Sequence, residues 1–395
     1  VSGTSWTDRT QAAVTYADTH TRFAALNGFI ITANSGVANL QRWNGTDAAF
    51  VNTTANPASN LTLLAVHNQR LFAAGADDMT VYFSALNDPN VWATPDGGSF
   101  VVGGRDGDRI IAMIAAYGYI YVFKRWHVYQ IDFRGSRDFD VIDLGVGFGA
   151  LNSYAVWPYK GGVVFASERG LHYLNPSTLE DLHPYVFWDW QDVVGKSTTV
   201  VAVDREGRIH FCYDSNNDGT NDRSFVYYEP AGRVHPWTNQ NNQVFATRNN
   251  GQLLSGQSTA IRINQYDGTQ SDDGTAITMS WDTPDLSFPS PDSGNPGITA
   301  KAHVTRCWLR ARATTGGSPV DVTVNQIVEG KDEGQVGTMS LVASDASHET
   351  VTKMLALKLT PRGRYIRLRF AHVNTNQRCE LYEYAIEGME RQERE

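Results

Sequence analysis

The sequence predicts an all-β protein: a β-propeller of about six blades followed by a C-terminal antiparallel β-sandwich. Three observations carry this expectation. A turn-plus-strand unit recurs through the first two thirds of the chain. Glycine and aromatic residues abound, with 35 Gly, 17 Tyr, 17 Phe and 10 Trp, as many short strands separated by tight turns require. No segment sustains the 3.6-residue apolar period of a long helix.

The repeat opens on a turn containing Gly or Asn and continues into a short apolar strand. It reads NGFIIT (Asn27–Thr32), NQRLFAA (Asn68–Ala74), YGYIYVF (Tyr117–Phe123), KGGVVFA (Lys160–Ala166), EGRIHFCY (Glu206–Tyr213) and NGQLLSG (Asn250–Gly256). Its starts lie about 40 to 50 residues apart, the length of a four-stranded propeller blade. A second strand, closing on a polar turn, follows each one: LQRWNGT, VYFSALND, VYQIDFRG, LHYLNPS, FVYYEPAG and IRINQYDG. Apolar positions alternate in several units, as in half-buried strands. Residues 1–20 are read as an N-terminal arm and 21–275 as the propeller. The segment Tyr185–Val194 suggests a short helix.

The rhythm breaks in DTPDLSFPSPDSGNPGITA (Asp282–Ala300), whose prolines, glycines and serines mark 276–300 as a linker or long loop. Beyond it Cys307–Thr314, Val320–Val328, Lys353–Leu359, Tyr365–Val373 and Cys379–Met389 read as strands of a sandwich over 301–390, and 391–395 as a charged tail.

Composition excludes several function classes. The net charge of −9 and the lack of any long Lys/Arg run argue against a grip on nucleic acid phosphates. Cys212, Cys307 and Cys379 are odd in number and widely separated, so neither a zinc site nor a disulfide framework is expected. No apolar run reaches the roughly 18 residues of a membrane helix. No signal peptide is expected from the first residues, which open on Val1.

The sharpest chemical motif is DSNNDGTND (Asp214–Asp222). Asp214, Asn216, Asp218 and Asp222 place oxygen ligands as a short calcium loop would, with Gly219 for the turn. The acidic residue of a twelve-residue calcium loop is missing, because Phe225 stands there. A plain hairpin turn is the stronger reading, with a structural calcium as the alternative; no cofactor is required. GKST (Gly195–Thr198) echoes a phosphate loop but lacks its first glycine, and GVGFGA (Gly145–Ala150) suits a connection between blades better than a dinucleotide fingerprint. Asp106 and Asp108 form the best local acidic pair, and DGD is ordinary turn chemistry. Scattered histidines and the absence of a nucleophile elbow identify no enzyme.

The segment Val81–Ile131 combines an Asn87-Asp88-Pro89 turn leading to Trp92, an Asp106-Gly107-Asp108-Arg109-Ile110 opening and a Lys124-Arg125-Trp126-His127 corner. This arrangement is similar to the propeller of bacteriophage tail and head-completion proteins, in particular the tail hub or nozzle and packaged-DNA stabilisation proteins of short-tailed phages. GRYIRLRF (Gly363–Phe370) and CELYEYAIEG (Cys379–Gly388) resemble their closing strands. The resemblance implies a virion (tail) protein assembled in the host cytoplasm. It implies a homo-oligomeric ring of six copies, contacts with portal, adaptor and other tail proteins, and DNA passing through without sequence-specific binding. The alternative is a carbohydrate- or receptor-binding module, since the last strands also resemble discoidin-like sandwiches and Trp188 and Trp190 offer stacking platforms. A propeller glycosidase, using aspartates from separate blades, is a third class.

Overall fold

In a computed structural model, the described residues are 9–11, 14, 16, 21–75, 78–93, 95–134, 138–182, 190, 193, 195–229, 233–237, 241–248, 250–257, 263–266, 271–272, 275–286, 302–314, 320–341, 350–357, 365–374 and 378–390. They form small antiparallel sheets and, among themselves, no α-helix. The chain divides into two compact units, Val1–Asp267 and Gly268–Glu395.

The described residues of the first unit form six sheets in chain order, five of four strands and a sixth of three, each a meander of consecutive strands. The six repeat starts read from the sequence are the turns between the first and second strands of these sheets. In the first four sheets the turn has two residues, both with positive φ: Asn27-Gly28, Asn68-Gln69, Tyr117-Gly118 and Lys160-Gly161. This twist matches that of the flanking strands and fixes the register of each hairpin. The polar-ended segments are the third strands.

Second strands depart from the expected alternation. Arg70–Ala74, Gly162–Ser167 and Ile209–Asp214 are buried at every position, and Tyr119–Phe123 at all but its first. Alternate side chains point to different neighbours. Ile120 and Val122 pack with Phe72, Val81 and Phe83 of the second sheet, whereas Tyr121 and Phe123 pack with Val163 and Phe165 of the fourth. Val164 and Ala166 then meet Val201 and Phe211 of the fifth. Continuous apolar runs follow from burial on both faces. The first strand of each sheet lies beside the first strand of the next, from Arg22–Leu26 through to Asn242–Thr247.

Side chains lock successive sheets at their turns. Asn27 Nδ2 donates to the Asn87 carbonyl (3.0 Å) and Asn68 Nδ2 to the Phe133 carbonyl (3.0 Å). Lys160 pairs with Glu229, whose carboxylate also accepts the Tyr159 hydroxyl (2.5 Å). One contact reaches further. The Arg22 guanidinium, on the first sheet, donates to the Ser153 carbonyl and lies 3.5 Å over the Tyr154 ring, just before the fourth sheet.

The second unit has a five-stranded sheet in the order Ser271–Asp272, Thr275–Asp282, Ile366–Asn374, Val320–Val328 and Lys331–Leu341. A three-stranded sheet runs Thr350–Ala356, Ala302–Thr314 and Arg378–Glu390. Val304, Cys307 and Leu309 of the second share one core with Val322, Leu368 and Phe370 of the first. Burial pushes the Cys307 thiol up to about 12, so it packs as a small apolar group.

One expectation needs correction here, and one strand was not read from the sequence. The linker assigned to 276–300 begins inside a strand: Thr275–Asp282 pairs with Ile366–Asn374, and Arg369 clamps Asp282 with two hydrogen bonds of 2.8 and 2.9 Å. Prolines downstream had drawn the boundary too early. Lys331–Leu341 is a strand that its charges and glycines had concealed. Residues 287–300 and the tail 391–395 lie outside the described residues.

Phe165, wholly buried between the third and fourth sheets, tests the two-faced burial. Phe165→Ala is expected to lower unfolding stability by about 3–5 kcal/mol, read from the denaturant midpoint at constant m-value.

Candidate functional site

The link from the second sheet to the third, Gly103–Arg109, folds over a buried lysine. Lys124 is 0% exposed. Its Nζ donates to Asp106 Oδ2 (2.7 Å) and Oδ1 (2.9 Å) and to the Asp108 carbonyl (3.0 Å). The Tyr129 hydroxyl adds a bond of 2.8 Å to Asp106. Burial opposes ionisation of Asp106, but the bonds from Lys124, the Asp108 amide and Tyr129, together with the lysine charge, hold its carboxyl below the ordinary value. Asp108 accepts the Trp126 amide (2.7 Å). The acidic pair is thus turn and anchor, each carboxylate committed to the joint.

Beside this joint lies a cavity of ≈ 340 Å³, lined by Ile111, Leu151 and Val193 with Arg125, Glu168 and Lys196. Three sheets contribute. Arg125 sits in the tight corner closed by the Lys124 amide on the His127 carbonyl (2.9 Å). Glu168 lies in the turn after the second strand of the fourth sheet, where Ser167 Oγ accepts the Arg169 amide (2.9 Å). Lys196 begins the fifth sheet and stands 5.3 Å from the centre of the Trp190 ring. Gly149 completes the wall: its amide donates to the Arg125 carbonyl (2.8 Å), and a Cβ there would sit 1.9 Å from the Lys124 carbonyl oxygen. The two cations flank one carboxylate, Arg125 at 3.8 Å and Lys196 at 3.9 Å from Glu168.

A Ser–His–Asp arrangement occurs in the fourth sheet. Ser167 Oγ is 2.6 Å from His172 Nε2, and His172 Nδ1 is 2.6 Å from Asp181 Oδ1. The distances suit nucleophile, base and orienting acid, but Ser167 and His172 are both 0% exposed. The imidazole is packed by Phe148 and Phe165 at 4.5 and 5.1 Å, and Trp190 Nε1 donates to the Ser167 carbonyl (3.1 Å). No substrate carbonyl reaches the hydroxyl; the three residues brace the hairpin. Sequence reasoning missed the set because its members are joined by register, with His172 opposite Asp181 across two strands.

DSNNDGTND joins the second and third strands of the fifth sheet. Asp214 is buried and accepts the amides of Asn216 (3.1 Å), Asn217 (2.7 Å) and Gly219 (2.7 Å). Asp222 accepts both the amide and hydroxyl of Ser215 at 2.7 Å. Asn216 and Asp218 bond each other (3.1 Å). These bonds close the turn; among the described residues no three His, Cys, Asp or Glu side chains converge as a metal-binding group.

The remaining motifs resolve into scaffold. Gly195–Thr198 is the start of a strand, and Gly145–Ala150 links the third and fourth sheets. Trp190 is 2% exposed and cannot serve as a sugar platform, which corrects that expectation; Trp188 and most of the segment read as a short helix lie outside the described residues. The free thiol of Cys212 is buried, and burial pushes it up to about 11. No helix of the described residues is long and apolar enough to cross a membrane.

No protein-family model matches the chain, and no curated protein matches it. Among solved structures it is similar to the extracellular domain of a hybrid two-component system from Bacteroides thetaiotaomicron (14% identity, TM-score 0.46), over 67% of this chain and 33% of that one. It is also similar to PorZ, a surface component of the type-IX secretion system of Porphyromonas gingivalis (12% identity, TM-score 0.45), over 84% of this chain and 46% of that one. A third is an exported protein of Bacteroides fragilis (10% identity, TM-score 0.39), over 63% and 82%. The chain therefore spans about a third of the length of the first of these.

Two substitutions test the assignments. Lys124→Met strands the Asp106 carboxylate and should cost about 3–5 kcal/mol of stability, whereas Lys124→Met with Asp106→Asn should cost distinctly less. Asp214→Ala, melted in chelator, should lose about 3 kcal/mol, because three backbone amides lose their acceptor in the absence of any ion.

Proposed function

We propose that this protein is a non-catalytic structural component of a short-tailed bacteriophage tail, a hub, nozzle or head-to-tail completion protein. Its six sheets close into a six-bladed propeller, and the two sheets of the second unit form a sandwich. Six copies form a ring that extends the DNA channel below the portal and adaptor and helps retain and release the genome. The observation that carries this reading is the role of the residues on which the family resemblance rests. Asp88, Trp92, Asp106 and Lys124 are all spent on joints, with Trp92 Nε1 donating to the Pro89 carbonyl (2.8 Å) and Lys124 held by Asp106. They belong to a scaffold rather than to chemistry.

The stacking of sheets in chain order supports the propeller. Arg22 supports it further, since the first and fourth sheets stand opposite each other in a ring of six, and its bond to Ser153 would cross the centre. A net charge of −9 suits a channel wall, because negative surfaces repel phosphate and let DNA slide. Calcium held by Asp214, Asn216, Asp218 and Asp222 would stiffen a blade turn in this scheme and touch no substrate.

Light scattering after size exclusion should show a six-copy ring, and particles lacking the protein should lose packaged DNA. A persistent monomer together with particles that hold their genome normally would sink the proposal.

A further inference from the structure

The structure assigns Asn44, Asn52 and Asn60 as acceptors of N-linked sugar, on an outer edge of the first sheet that must then face solvent. This inference stands independently of the ring proposed above. Each residue opens an Asn-x-Thr triplet: Asn44-Gly45-Thr46, Asn52-Thr53-Thr54 and Asn60-Leu61-Thr62. Nowhere else does the chain place Ser or Thr two residues after Asn without a proline between them. The three lie eight residues apart, and all three asparagines are exposed.

A triplet is an acceptor only where its amide nitrogen is free to react. Other asparagines nearby spend Nδ2 on the fold. Asn56 donates to the Ala38 carbonyl (3.1 Å), Asn68 to the Phe133 carbonyl (3.0 Å) and Asn87 to Gln69 Oε1 (3.1 Å). Among the described residues, Nδ2 of Asn44, Asn52 and Asn60 donates to no acceptor. Asn44 Oδ1 accepts the Thr46 hydroxyl (3.1 Å) and the amides of Thr46 (3.0 Å) and Asp47 (2.8 Å). The turn thus holds the oxygen of this side chain and leaves its nitrogen uncommitted. Asn52 Oδ1 accepts Gln41 Nε2 (3.4 Å). Asn60 has a positive φ and lies outside any strand, in the link to the second sheet. Exposed loops of this kind are what a transferase can draw into its own cleft.

A sugar activated as a diphosphate ester supplies the reaction. Nδ2 bonds to the anomeric carbon, the bond from that carbon to the phosphate oxygen breaks, and the diphosphate leaves with the electron pair. One Nδ2 proton passes to a base of the transferase. Asn44 and Asn52 stand on either side of the turn that joins Gln41–Trp43 to Val51–Asn52, the edge strand of the first sheet. Sugars there cover exposed Val51 and keep an unpaired strand edge from pairing with another chain.

Intact-mass spectrometry of the full chain from its native source, followed by peptide sequencing, tests this. Sugar masses are expected on the peptides holding Asn44, Asn52 and Asn60 and on no other asparagine. A single hexose at each site identifies a nucleotide-linked donor and an oligosaccharide a lipid-linked one; both support the assignment. Asn44→Asp, which keeps the acceptor of the turn, and Thr46→Ala should each lose one sugar, whereas Thr46→Ser should keep it. The inference is overturned by a chain carrying no sugar at the three sites, by sugar on asparagines outside the triplets, or by a Thr46→Ala chain as heavily glycosylated as the parent.

Discussion

Burial of the second strands on both faces is the constraint from which the first unit follows. A strand such as Gly162–Ser167, enclosed at all six positions, needs an apolar partner above and below it. No single sheet can meet that need, so sheets stack in chain order, each supplying the cover its neighbour requires. The pattern is exacting in register. Tyr121 and Phe123 serve one interface while Ile120 and Val122 serve the other, so a slip of one residue would exchange the two faces. Two-residue turns with positive φ at both positions prevent that slip by fixing where each hairpin begins.

Stacked sheets leave backbone groups at their links without strand partners, and the polar side chains inside the unit answer this need. Asn152 Nδ2 donates to the Ser197 and Thr199 carbonyls, tying the fourth sheet to the fifth, and Asn221 donates to Thr198 and Asn242 on the way to the sixth. Lys124 does the same for the Gly103–Arg109 link, its charge balanced by Asp106. Asp204 belongs to this class too: burial works against its ionisation, yet bonds from His210 and Arg208 hold it at about 2. Such residues resemble catalytic groups by type and environment. Their partners identify them as joints.

The cavity exists because three of these joints meet. Arg125 and Glu168 project from the turns that close second strands, Lys196 from the start of a first strand, and the approach of Gly149 to Lys124 sets their spacing. The charges there come from two turns and a strand start, about 70 residues apart at the extremes, which is why no linear motif announces them.

The all-β class, the six turn-and-strand units and the position of many strands in both units are legible along the chain. These depend on local rules: positive φ at a two-residue turn, apolar runs bounded by polar punctuation, and strand lengths of a few residues. The sequence also showed DSNNDGTND to be a turn between strands, since flanking HFCY and SFVYYE are strand-like in their own right. Packing in three dimensions settled which face of each strand meets which sheet, that Thr275–Asp282 belongs to the second unit, that Trp190 is a brace, and that buried Ser167 and His172 line up with the exposed Asp181. Those outcomes rest on pairing across strands and sheets, and contact between residues far apart in the chain is set by packing, which local composition does not encode.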